Sequence, residues 1–137
     1  MQRALGRLDR AGLYEAGRRR VNLSRAEELL THAVQYLFPA RPAEESRGVA
    51  TAWAAEPLVR HIAVEDDLPP IWPDPEGPVR GLVVEPLHRS ALAAARRDPR
   101  LAEQLALVDA MRIGDARVRG VAAELLSQQL VGPPVRE

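Results

Sequence analysis

Ser24-Arg25-Ala26-Glu27-Glu28-Leu29-Leu30-Thr31-His32-Ala33-Val34-Gln35-Tyr36-Leu37-Phe38-Pro39 is the stretch whose reading decides the fold. Ser24 and Glu27 stand three apart, as in a capping box, where each side chain satisfies a backbone N–H that the first helical turn leaves unpaired. Behind them Ala26, Leu29, Leu30, Ala33, Val34 and Leu37 recur at helical spacing and form one apolar face. Pro39 ends the helix, because its ring disfavours helical backbone in the residue before it. A helix with one apolar stripe must pack on others, which predicts a mainly α, small helical domain.

Further along the chain, Leu87–Arg97 reads as a helix with Pro86 at its first turn. Asp98-Pro99 opens the next, Asp as N-cap and Pro as first helical residue, with Leu101, Leu105, Val108 and Met111 facing inward. Asp115–Leu130 reads as the last, with Val118, Val121, Ala122, Leu125 and Leu126 inward; Gly114 either separates these two helices or is absorbed in one long helix. Gly132-Pro133-Pro134 begins a tail over 132–137. Toward the other end, Gln2–Ala11 reads as a short helix with Ala4, Leu5, Leu8 and Ala11 on one face and Arg3, Arg7 and Arg10 on the other. Gly12 stops it. The following Leu13–Leu23 reads as a small β-hairpin, two short apolar segments about a Gly-containing turn.

The stretch 39–85 gathers most of the chain's twelve prolines. It reads as a proline-rich packed loop that wraps the helical core, with a short helix about Glu56–His61, no regular structure over 66–78 and a short strand near 79–85. Trp53, Trp72 and several β-branched residues mark it as ordered rather than as a linker.

Composition narrows the class. The chain has 137 residues, enough for one domain with a small appendage, and 46% are hydrophobic. Only 4% are aromatic, so the core rests on Leu, Val and Ala. All 19 basic residues are arginine, a bias that points to a GC-rich bacterial genome. With no cysteine there is no disulfide, thiolate metal site or thiol nucleophile, and the absence of an apolar leader or span points to the cytoplasm. Net charge is zero but unevenly spread: residues 1–25 hold seven arginines against Asp9 and Glu15, and the rest is acidic. A basic end of this kind suits phosphates.

The Arg-faced helix 2–11, the Ala11-Gly12-Leu13 junction and the basic hairpin with Arg18-Arg19-Arg20 at its tip together resemble the second half of a bacterial winged helix-turn-helix of the MarR-like kind. The resemblance covers residues 2–23 and implies a recognition helix, a junction and a wing. It implies DNA binding by Arg3, Arg7, Arg10, Arg18, Arg19 and Arg20. The family's fold has one or two helices before the recognition helix; here Met1 lies inside the motif, so either the start is late and upstream codons supply them, or the motif has decayed. Phe38-Pro39-Ala40, Arg47–Ala55, Asp67–Pro73 and Leu107–Gly114 are similar to a poorly characterised bacterial family of such regulators with helical C-terminal parts. Some of its members accompany nucleotidyltransferase-like partners as an antitoxin accompanies a toxin.

No stretch assembles a catalytic constellation. Glu65, Asp66, Asp67, Asp74 and Glu76 lack calcium-loop spacing and read as solvated acids. His32, His61 and His88 are too far apart for a helical metal pair. Ser24, Ser46, Ser90 and Ser127 lack a nucleophile elbow, and Gly77 and Gly81 stand alone rather than in a phosphate loop. Leu68–Pro73 carries Trp72 on a stiff backbone, which suits either a partner-binding anchor or a plug in the domain's own core. The expectation is therefore a non-enzymatic cytoplasmic regulator without metal or cofactor: 1–23 a winged-helix remnant, 24–131 a helical domain, 132–137 a tail. Its expected partners are double-stranded DNA and, in the alternative reading, a cognate toxin. The long apolar stripes of the last two helices also allow a homodimer.

Overall fold

The computed structural model describes residues 2–63 and 67–131. Its elements in chain order are α1 (Gln2–Arg10), β1 (Tyr14–Glu15), β2 (Arg20–Val21), α2 (Leu23–His32), α3 (Val34–Leu37), β3 (Glu45–Ala50), β4 (Pro70–Pro73), β5 (Val79–Val83), α4 (Ala91–Arg97), α5 (Pro99–Ile113) and α6 (Ala116–Val131). Single 3-10 turns lie at Ala52–Ala54 and Leu58–Arg60.

The helical core is built around α5. Asp98 caps it as its sequence position demands, accepting from the backbone N–H groups of Arg100 and Leu101, with Pro99 in the first turn. Every residue from Ala106 to Arg112 is buried. A helix covered on all sides is central rather than superficial. On it pack α6, α4, α3 and the first 3-10 turn, and Val34, Leu58, Leu107, Met111, Ala122 and Leu126 form the core. Each fully buried Leu, Ile or Met side chain contributes about 1.5–3 kcal/mol relative to exposure. Gly114 separates two helices: its N–H closes α5 on the Ala110 carbonyl, and Asp115 then caps α6 through the Val118 N–H at 2.8 Å.

The proline-rich stretch departs from its reading as an irregular loop. Here β3, β4 and β5 close on one another, so that the fold is mixed α/β rather than mainly α. β3 runs antiparallel to both neighbours, pairing Val49 with Trp72 and Ser46 with Gly81. The remaining edges of β4 and β5 meet in parallel through Pro70 with Leu82 and Ile71 with Val83. Closure removes free edges. Prolines are compatible with this because Pro70 and Pro73 are the first and last residues of β4, where a missing N–H costs least. Glycines make the closure possible. A methyl at Gly48 would collide with the Trp72 carbonyl oxygen and stand 2.6 Å from Ile71 Cδ1. One at Gly81 would collide with the Pro69 carbonyl oxygen and stand 2.7 Å from Ile71 Cγ2. Ile71, fully buried, thus fills the interior against two positions without side chains.

Helix ends differ from their expected places as well. The expected helix 24–38 begins one residue earlier, capped by Asn22, whose side chain accepts from the Arg25 N–H, not by a Ser24 box. It breaks at Ala33, leaving α3 as a separate turn. α4 starts at Ala91 rather than Leu87, so Pro86 lies outside it. The expected helix about Glu56–His61 is only a 3-10 turn. The strand near 79–85 and the hairpin near 14–23 stand where they were expected. The tail 132–137 and the acids Glu65 and Asp66 lie outside the described residues.

Candidate functional site

Arg3, Arg7 and Arg10 recur at helical spacing, and α1 places them around one open concavity of about 430 Å³ that also includes Gly6. None of the residues of α1 is buried. The helix ends on Gly12 at φ 77°, where the Leu13 N–H reaches the Leu8 carbonyl and the Gly12 N–H reaches the Asp9 carbonyl. This is a Schellman stop. It turns the chain into β1, whose Tyr14 pairs with Val21 of β2. Arg18, Arg19 and Arg20 occupy the hairpin's distal end, Arg19 in left-handed backbone at φ 49°. Arg18 and Arg20 share Glu15, at 3.9 and 3.2 Å. Arg3, Arg7, Arg10 and Arg19 take part in no ion pair among the described residues. Four guanidinium groups without an ion pair among the described residues and two partly neutralised ones therefore lie on one short helix–hairpin unit, and on the apolar side of α1 Leu5 is half-buried and Leu8 exposed.

A second centre lies in the core. Asp109 of α5 is 1% exposed, and its Oδ2 accepts from the Thr51 hydroxyl and from the Trp72 indole N–H, each at 2.6 Å. Its Oδ1 accepts from Arg112 Nη1 at 2.7 Å. Arg112 also donates to the Phe38 carbonyl at 2.8 Å and the Glu85 carbonyl at 3.0 Å, the two ends of the β segment. Both carboxylate oxygens, the Thr51 hydroxyl, the Trp72 indole N–H and Arg112 Nε and Nη1 are bonded within the chain, and such partners are the condition for tolerating a buried charge pair. The neighbouring Ala52 adopts φ 53° and is fully buried. The strain of that backbone is of the order of 1 kcal/mol, and the surrounding packing holds it.

Trp72 was expected either as a partner-binding anchor or as a plug in the domain's own core. It is 4% exposed and its indole N–H is bound to Asp109, so its ring belongs to the core, and it also lines an open pocket described below. A chain so poor in aromatics uses this one to join the sheet to α5. The signal that sequence reading missed was Asp109 with Arg112 at i, i+3 on the inward side of α5: two charges amid an apolar stripe require partners, and Thr51 and Trp72 provide them.

The acidic stretch is not uniform. Asp67 and Glu76 are exposed, as expected of solvated acids. Asp74 is 8% exposed, pairs with Arg96 of α4 and accepts from the Glu76 N–H. It is a tether between sheet and helix. Among the described residues no group of three or more His, Asp or Glu is placed to hold a metal ion. His32, His61 and His88 are exposed and separate. His88 Nδ1 lies 2.7 Å from Ser90 Oγ and accepts the Ser90 N–H at 3.1 Å. These two bonds within three residues make a local turn before α4, and no acid orients the imidazole.

The chain matches no protein-family model, no curated protein and no solved structure. Its functional reading is drawn from its own residues.

Proposed function

We propose that this protein is a DNA-binding regulator of winged-helix descent, in which α1 enters the major groove and the β1–β2 hairpin rests on the adjacent backbone. The observation that carries the reading is the concavity lined by Arg3, Arg7 and Arg10 on a helix with no buried residue. An α-helix with its side chains is about 10–12 Å across, which suits a groove about 12 Å wide. Unpaired arginines are held close together only against mutual repulsion, and a polyanion relieves it. The reading assigns the chain no catalytic role and places it in the cytoplasm. No helix among the described residues is long and apolar enough to cross a membrane.

The test is fluorescence anisotropy of the protein on duplex DNA from its own upstream region across a salt series. Each phosphate contact contributes about −0.9 to the slope of log K against log salt. Arg3→Ala/Arg7→Ala/Arg10→Ala is expected to flatten that slope by up to about 2.7, three such contacts. Binding unchanged in slope and affinity by the triple variant refutes the assignment.

A second reading, a protein-interaction module such as an antitoxin that masks a nucleotidyltransferase-like toxin, is favoured by one observation. Tyr36, Leu37 and Phe38 are consecutive and 76%, 59% and 50% exposed. Three adjacent large apolar side chains in water mark an interaction surface. Partner capture that persists at high salt and is lost on Tyr36→Ser/Phe38→Ser supports that reading instead. A homodimer through the same patch gives a mass that falls to the monomer value in the same variant.

A further inference from the structure

Between β3, β4 and the first 3-10 turn on one side and α4 and α5 on the other lies a cavity of about 590 Å³. Ligand sites normally fall between about 300 and 1,000 Å³. Its walls are Ala50, Trp72, Leu92, Ala95, Ala102 and Ala106. The alanines explain why space remains: methyl groups stand where the packing has room for larger side chains. Open apolar volume forfeits dispersion contacts, which an apolar guest restores.

We propose that this cavity is a binding site for a neutral, planar aromatic small molecule. The polar atoms on its walls are already spent. Thr51 and Trp72 both line it, and both give their hydrogens to Asp109, leaving a methyl group and ring carbons for a guest. The charged residues around it are four, two acids and two bases: Glu56, Glu103, Arg96 and Arg100. Glu56 pairs with Arg60 at 2.6 Å and Arg96 pairs with Asp74. Arg100 donates to the Gln129 carbonyl at 2.7 Å, and Glu103 accepts from the Gln129 amide at 3.3 Å. A site with balanced, engaged charges offers an ionic ligand nothing to repay its desolvation, so a neutral one is favoured. Aromatic shape follows from Trp72, since offset or edge-to-face ring pairs gain about 0.5–1.5 kcal/mol beyond burial. The Arg96–Asp74 pair ties α4 to the residue that follows β4.

The probe is N-phenyl-1-naphthylamine, a neutral dye whose emission rises in apolar surroundings, titrated into the full chain. Saturable binding near one per chain is expected, with quenching of Trp72 emission in a Trp53→Phe background. Ala95→Phe on α4 and Ala102→Phe on α5 fill the cavity from two sides. Each is expected to weaken binding at least tenfold while the helical circular-dichroism signal is retained; should one fail to fold, the other decides. The Arg3/Arg7/Arg10 variant is expected to bind the dye as the parent does, which keeps this inference separate from DNA binding. Non-saturable binding, equal affinity in the filled variants, or tenfold preference for an anionic analogue such as 1-naphthoate overturns the assignment.

Discussion

Removing the Asp109 carboxylate tests the account of the core most directly. Asp109→Ala leaves Arg112, whose side chain is 4% exposed, without its counter-charge and leaves the Thr51 hydroxyl and Trp72 indole N–H without an acceptor. Breaking a buried ion pair from one side costs about 3–5 kcal/mol. Each orphaned neutral donor adds about 1–3 kcal/mol when nothing relaxes. The three losses share one atom group and are not additive, so the expected total is about 4–6 kcal/mol. That is a large part of the 5–15 kcal/mol by which domains are usually stable. For a chain of this length it lowers Tm by roughly 12–25 °C. Urea unfolding followed by circular dichroism and by tryptophan emission measures it, with both probes expected to move together. Asp109→Asn keeps an acceptor oxygen for Thr51 and Trp72 and loses the charge, so it should cost less than Asp109→Ala. Thr51→Val removes one donor from an acceptor with two others and should cost no more than about 1.5 kcal/mol. A loss below about 1 kcal/mol in Asp109→Ala, or Asp109→Asn falling further than Asp109→Ala, would refute the view that this carboxylate joins sheet and helix.

Other positions give sharper contrasts. Gly48→Ala drives a methyl into the Trp72 carbonyl and is expected to destabilise the protein by at least about 2 kcal/mol in urea melts, the scale of overpacking. Gly120→Ala, inside α6 with nothing within 4 Å of the added methyl, is expected to stabilise by about 0.5–1 kcal/mol in the same assay. Asp98→Ala removes the side-chain cap of α5 and is expected to cost about 1 kcal/mol, read as a lower Tm with unchanged dye binding.

The helices were legible where local chemistry alone decides them. Asp98-Pro99 states a start without reference to any tertiary partner, and Gly12 states a stop. The break at Ala33 was not legible, because Ala26 through Leu37 keeps helical spacing and only packing on α5 and α6 separates α2 from α3. Exposure of Leu37 at 59% shows that the periodic face runs past the surface that covers it. The small sheet was hidden for a different reason. Strand recognition relies on alternation and on the absence of proline, and β4 is four residues with proline at both ends. The clue lay in the glycines. Gly77 and Gly81 were set aside for not forming a phosphate loop, yet Gly48, Gly77 and Gly81 are where backbones approach too closely for a side chain. Their common role is set by close backbone approaches between residues 12 to 29 apart in sequence, which no local pattern carries.

The arginines of this chain differ in the state of their donors. Arg47, Arg60, Arg80, Arg96, Arg100, Arg112 and Arg119 each donate to a carboxylate or a backbone carbonyl, and several of these bonds join segments far apart in sequence. Such a guanidinium is already solvated by protein, and binding an external anion would cost it a bond. Arg3, Arg7, Arg10 and Arg19 take part in no ion pair among the described residues and stand on a unit that contributes nothing to the core. Keeping their charge in water costs the fold little, and transferring them to phosphate forfeits no internal contact. The same residue type therefore serves two ends. In the body Arg96 and Arg112 join helices to the β segment and its flanks, and the others bond within the sheet, between helices or locally. At the N-terminal unit Arg18 and Arg20 share Glu15, while Arg3, Arg7, Arg10 and Arg19 take part in no ion pair among the described residues, and the clustering of those four on one short unit is what the proposed contact with a polyanion rests on.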